Sequence, residues 1–190
     1  VSRAMPLVYA NAIASQIGLG IDKAIRERVQ GAIERVYEMQ DSSGAFGVWG
    51  PSNADMWLTS YVADFLTRAK EQGYTVRPQA FTQVIDRLAN YVSYAQDFEN
   101  GGETRAYALY VLARNGRAPV GELRYYVDQK LESFSTPLAK AQLGAALAIY
   151  AHDALKIKKV AVIDDRTAYG QGLADVFKAT AKEKGIEVVA

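Results

Sequence analysis

After Asp153 the apolar pattern of this chain changes period, and that break constrains its fold more than any motif it carries. Upstream, apolar residues recur at three- and four-residue steps, the signature of helices packed along a stripe. Downstream, Val160-Ala-Val-Ile163 is a continuous apolar run between Lys158-Lys159 and Asp164-Asp165, the pattern of a parallel strand buried on both faces. Ala168 to Lys184 reads as a helix with Leu173, Val176, Phe177 and Thr180 on one face, Gly185 closes it, and Ile186-Glu-Val-Val189 reads as a second strand. The order is β-α-β with no flanking sheet, so the strand edges are expected to be either adhesive or paired with another copy of the chain.

The upstream part reads as about seven helices. Pro6 suits a first turn, and Leu7, Ala10, Ala14 and Ile17 keep helical spacing up to Gly18. Asp22 can cap a helix whose face is Ile25, Val29, Ile33, Val36 and Met39. The glycine-rich connection 41–51 should tuck Phe46 and Trp49 beneath the helices. Asn53 to Gln72 carries Trp57, Leu58, Tyr61, Val62, Phe65, Leu66 and Ala69, a stripe wide enough to require cover on more than one side. Further helices start at Pro78, at Thr104 and around Leu123, and the Ala-rich stretch Ala139 to Ala151 follows Thr136-Pro137.

Three segments, beginning at Leu58, Thr104 and Ala139, look like weak copies of one helix, each preceded by a more amphipathic partner. A spacing of roughly 35 to 45 residues is that of helical-hairpin repeats. The fold class expected is therefore mainly α: a partial α/α toroid of helical hairpins over 1–152, with a βαβ appendage over 153–190.

Composition removes several classes of function. Twenty-two basic and twenty-one acidic residues leave a net charge of +1, so no field exists to hold a nucleic-acid backbone. With no cysteine, the chain offers no disulfide, no thiolate nucleophile and no thioester of its own. No run approaches the roughly 20 apolar residues of a membrane span. Its start, Val-Ser-Arg-Ala-Met-Pro, has neither an initiator Met nor a signal-peptide pattern, as in a segment excised from something longer.

Ser2-Arg-Ala-Met-Pro-Leu7 with Val8-Tyr9, Met39 to Trp49, and Trp57 to Leu66 together resemble the thioester-domain region of bacterial α2-macroglobulins, a resemblance that covers residues 1 to about 150. It implies an α/α toroid within a periplasmic protease trap, downstream of a Cys-x-Glu-Gln thioester motif that this chain does not contain. The stretch Lys158 to Asp175 resembles the start of the second lobe of periplasmic substrate-binding proteins of branched-chain amino acid transporters. That resemblance implies a ligand contact for Tyr169 and an amino-acid ligand for the parent family. The two together imply a chimera, periplasmic in both parts. The function expected is a non-catalytic structural segment of a protease-trapping inhibitor lacking its thioester. A fragment of a leucine/isoleucine/valine-binding transport receptor is the alternative, and an α/α toroid enzyme a third reading.

Other candidate residues have structural explanations. His152, the single histidine, lacks the companion ligands a metal needs and reads as a solvated linker residue, and no cofactor is expected. Asp164-Asp165 stand where α/β folds place ligands, but caps and turns use the same residues. Asp41, Asp55, Asp97 and Glu99 are loop acids, which a paired-carboxylate glycosidase would need and which turns use equally. Tyr61, Tyr107, Tyr110, Tyr125 and Tyr126 suit core packing with hydroxyls at the rim. Gly170-Gln-Gly172 lacks the rest of a phosphate-loop fingerprint.

Overall fold

The computed structural model describes every residue except Ile21, Asn53, 95–98, Asp165 and Ala190, and gives the backbone but not the side chains of Glu99, Asn100, Ala168 and Tyr169. The chain is mainly helical and forms two compact units, Val1–Arg87 and Leu88–Ala190.

The first unit opens with a 3-10 turn, Pro6–Tyr9, that runs into α1 (Ala10–Gln16). α1 buries none of its residues, and Ile17 is 68% exposed. α2 (Lys23–Tyr37) starts where the sequence marks it: the Asp22 carboxylate accepts from the Ala24 N–H at 2.8 Å. It buries Val29, Ile33, Val36 and Tyr37, while Met39 beyond its end is partly exposed. The Tyr37 phenol is pushed up to about 12, with burial the leading cause.

Between α2 and α3 (Met56–Glu71) the chain makes a compact loop. Asp41 organises it by accepting from the Ser43 N–H (2.8 Å), the Ser43 hydroxyl (2.7 Å) and the Ala45 N–H (3.0 Å). Gly44, at φ +91°, presses on the helix that begins at Pro78 so closely that a Cβ would lie 2.4 Å from the Gln83 carbonyl oxygen. Only glycine meets both conditions. Phe46 is buried, as expected, and its N–H donates to the Thr59 hydroxyl at 3.0 Å. Trp49 is not: it is 95% exposed, contrary to the sequence reading. The turn closes on itself, with Gly47 against the carbonyls of Gly50 and Ser52, so the tip residues Val48 and Trp49 project away while Phe46, just before the turn, takes the inward place.

Burial tends to raise the Asp41 carboxyl, but the hydrogen bonds from Ser43 and Ala45 and the Arg87 charge outweigh it and hold the group below its ordinary value. A lowered folded value means that this carboxylate stabilises the loop fully above the ordinary carboxylate range, and that the contribution disappears as pH falls through the lowered value. Asp41→Ala is therefore expected to cost about 1 kcal/mol at neutral pH and to flatten the acid limb of stability against pH, as urea midpoints along a pH series would show.

α3 is capped by Asp55, which accepts from the Leu58 N–H at 2.6 Å. It is buried around most of its circumference, including Thr59, Ser60, Asp64 and Thr67, as its wide apolar stripe requires. Trp57 remains half-exposed at the entry, stacked on Tyr61. α4 (Pro78–Tyr94) carries the chain from the first unit into the second.

In the second unit a 3-10 turn, Glu99–Gly102, leads into α5 (Glu103–Arg114), then come α6 (Val120–Gln129), a short turn Leu131–Ser133 and α7 (Pro137–Asp153). Thr136 caps α7 by accepting from the Ala139 N–H at 3.3 Å. α7 packs against α5 and also against α8 (Ala168–Glu183), which explains its small side chains. A Cβ on Gly144 would lie 2.9 Å from the Leu173 carbonyl oxygen and Cδ1, so α8 can come this close only over a glycine.

β1 (Lys159–Ala161) and β2 (Glu187–Val189) pair in parallel, with Lys159 opposite Glu187, Val160 opposite Val188 and Ala161 opposite Val189. β1 is shorter than the expected 160–163 and is covered on one face only. Val160 and Val188 pack with Ile157 and Phe177 on a cluster of Ala148, Ala151, Ala181 and Ile186. The opposite face carries a Lys159–Glu187 ion pair at 2.8 Å, and Ile163 is 95% exposed. Two strands with one crossover helix cannot cover a second face, and the apolar run by itself does not reveal that. The expected division near residue 152 falls inside this second unit, at the α7–α8 contact.

Candidate functional site

A cleft of about 470 Å³ in the second unit runs along β1 and its extension. Val160, Val162 and Ile163 form one wall, Leu173 and Phe177 of α8 another, and Leu131 and Leu147 close the far side. The lining is mostly apolar, with two carboxylates at its margin. Both are already engaged: Glu132 faces Lys140 at 3.6 Å, and Asp164 accepts from the Arg166 N–H at 2.9 Å with Lys178 at 3.9 Å. At the α8 entry, the Thr167 hydroxyl accepts from the Gly170 N–H at 3.0 Å. Such a surface excludes water and receives apolar side chains.

Tyr169, the expected ligand contact, belongs to the first turn of α8 next to cleft-lining Gly170, and its side chain lies outside the described residues. Asp165 and Asp97 lie outside them as well, as does the Glu99 side chain. The other loop acids do structural work, Asp41 inside its loop and Asp55 as the α3 cap. His152 is not in a free linker: it occupies the last turn of α7, where its Nδ1 pairs with Asp153, which also faces Lys184 at 3.4 Å. Burial pushes the Asp153 carboxyl up, but His152 and Lys184 together hold it below its ordinary value.

Arg105 is a residue that the sequence reading passed over. It is only 2% exposed, lies over the rings of Tyr91 (5.4 Å) and Tyr126 (5.3 Å), and donates to the Val92 carbonyl at 3.0 Å. Guanidinium-on-ring stacking is a way to keep a charge out of water. The signal was available, because a helix that is apolar all round must bury whatever charge it carries. Tyr126 in turn meets Phe134 edge to face at 5.9 Å, so part of the tyrosine set is core packing. In the first unit a second apolar cleft, about 400 Å³, is lined by Val1, Val36, Phe46, Leu58 and Val62 among others.

No family model matches the chain. It is 36% identical over 156 residues to alpha-2-macroglobulin of Escherichia coli K12, an alignment that covers 75% of this chain and 9% of that protein. A crystal structure of trypsin-activated alpha-2-macroglobulin from Escherichia coli superposes on 92% of the chain and 12% of its own length, with a TM-score of 0.69 and 29% identity, consistent with an α/α toroid. A shorter likeness, 46% over 56 residues, links 30% of the chain to 15% of a Leu/Ile/Val-binding protein homolog from Brucella melitensis. The chain thus spans under a tenth of the curated macroglobulin it matches. Over most of its length, this chain is homologous to bacterial alpha-2-macroglobulin.

Proposed function

We propose that the chain is a scaffold segment of a bacterial protease-trapping inhibitor, periplasmic, and without chemistry of its own. The sequence match to a macroglobulin over three quarters of the chain carries this reading. The absence of any cysteine supports it, since a thioester acyl donor requires a thiol. In this role the buried helix α3 supplies packing within the first unit, and α5 and α7 supply it within the second. Protease capture itself would be the task of residues elsewhere in the protein. Incubation of the chain with labelled methylamine is expected to leave no covalent label, whereas a stable adduct would defeat the reading.

The 56-residue likeness to a Leu/Ile/Val-binding homolog favours a second reading for the part after residue 152, a chimeric tail derived from an amino-acid receptor. The cleft beside β1 is where that reading puts a ligand, with Gly170, the neighbour of Tyr169, in its lining. Calorimetric titration with leucine, isoleucine and valine separates the two: the scaffold reading expects no heat at millimolar ligand, and saturable heat would favour the receptor reading.

A further inference from the structure

We infer that the outer edge of β1 is a pairing surface for β1 of a second copy of this chain. The Lys158 carbonyl accepts from the Glu187 N–H at 2.8 Å, so the even-numbered residues of this segment turn their backbone groups toward β2. Lys159 and Ala161 therefore turn theirs away from β2, toward the side on which the sheet has no further strand among the described residues. The cleft along 160–164 has no wall from β2, which places it on the outer side of β1. A row of backbone donors and acceptors beside an apolar trough is the template for strand addition.

The occupant follows from charge. The segment reads Lys158-Lys-Val-Ala-Val-Ile-Asp-Asp165, basic at one end and acidic at the other. Two copies related by a two-fold axis run antiparallel, and the axis falls at Ala161, whose outward backbone groups form a reciprocal pair. This register sets Lys158 opposite the partner's Asp164 at both ends, and Val160 opposite the partner's Val162 in the middle. Lys158 is exposed, and Asp164, which accepts from the Arg166 N–H at 2.9 Å and faces Lys178 at 3.9 Å, keeps carboxylate lone pairs for a closer ion pair. Even-numbered side chains face the α8 layer, so the partner's Val162 enters the trough beside Phe177. The parallel register would set lysine against lysine and is disfavoured by the same charges.

Sedimentation equilibrium of the full chain tests the pairing. The expected mass is twice 20.8 kDa, in reversible exchange with the single chain. Ala161→Pro removes an N–H that makes no bond to β2, so the variant should keep its helical circular dichroism and sediment as a single chain. Lys158→Glu and Asp164→Lys should each weaken dimerisation by roughly tenfold or more, since each places like charges opposite one another twice. The double variant, or a mixture of the two single variants, restores opposite charges and should recover the dimer. A wild-type chain that remains single overturns the proposal. So does a dimer indifferent to Ala161→Pro, or one in which the double variant fails to recover what the single variants lose.

Discussion

Phe46→Ala is expected to destabilise the first unit by about 3–5 kcal/mol, and Trp49→Ala by no more than about 0.5 kcal/mol, although the two aromatics stand three residues apart in one loop. Phe46 is 1% exposed and its backbone is tied to α3 through Thr59, so its loss leaves a ring-sized void among residues that cannot collapse without moving a helix. Trp49 buries almost nothing that unfolding would expose. Both tryptophans, Trp49 and Trp57, belong to the first unit, so urea unfolding followed by tryptophan fluorescence reads that unit while circular dichroism reads the whole chain. A Phe46→Ala fluorescence midpoint equal to that of the parent would contradict the burial described. A large shift in Trp49→Ala would contradict the loop geometry.

The second large effect is expected at the α7–α8 contact. Gly144→Val should cost about 2–3 kcal/mol, because even its Cβ would come within 2.9 Å of a backbone oxygen of α8, and the extra methyls must push the helices apart. Helix propensity works in the opposite direction, since valine is a better helix former than glycine, so a net loss isolates the packing term. Gly31 in α2 is the control: the nearest atom to a Cβ there is the far end of the Arg35 side chain at 3.6 Å, and Gly31→Ala should stabilise by about 0.5–1 kcal/mol. Thermal unfolding of both variants by circular dichroism checks the pair, and a neutral Gly144→Val would mean that α8 does not approach α7 this closely.

What could be read directly from the sequence was local chemistry. Asp22, Asp55 and Thr136 cap helices with their own side chains, and Gly73, Gly116 and Gly185 take the positive φ expected at or just past helix ends. The wide apolar stripe of Asn53 to Gln72 correctly implied cover on more than one side of α3, and the small residues of 139–151 correctly implied close packing on both sides of α7. Trp49 was misjudged because aromaticity reports a preference for burial, while the closure of the loop decides which of two nearby rings receives it. The strand run 160–163 was misjudged because an apolar stretch is the same whether neighbours cover one face or both, and those neighbours come from other parts of the chain. At the cleft, the sequence put Asp164 at a strand end, whereas β1 stops at Ala161 and Asp164 lies beyond it, accepting from the Arg166 N–H through backbone geometry that spacing alone does not encode. Lys140 and Arg105 were passed over in the sequence, although both are nearly excluded from solvent.

Because Ala181 and Ile186 rest directly on Ala148 and Ala151, the β-α-β element is not an ornament that a protease could trim without consequence. Clipping the chain at the exposed Leu155 and Lys156 and stripping away the released piece would leave a ridge of methyl groups along α7 facing water. The shortened product should then bind hydrophobic dyes, cling to chromatography resins and precipitate on warming, so limited digestion would yield a nicked but still associated pair of fragments in place of a clean, well-behaved helical core.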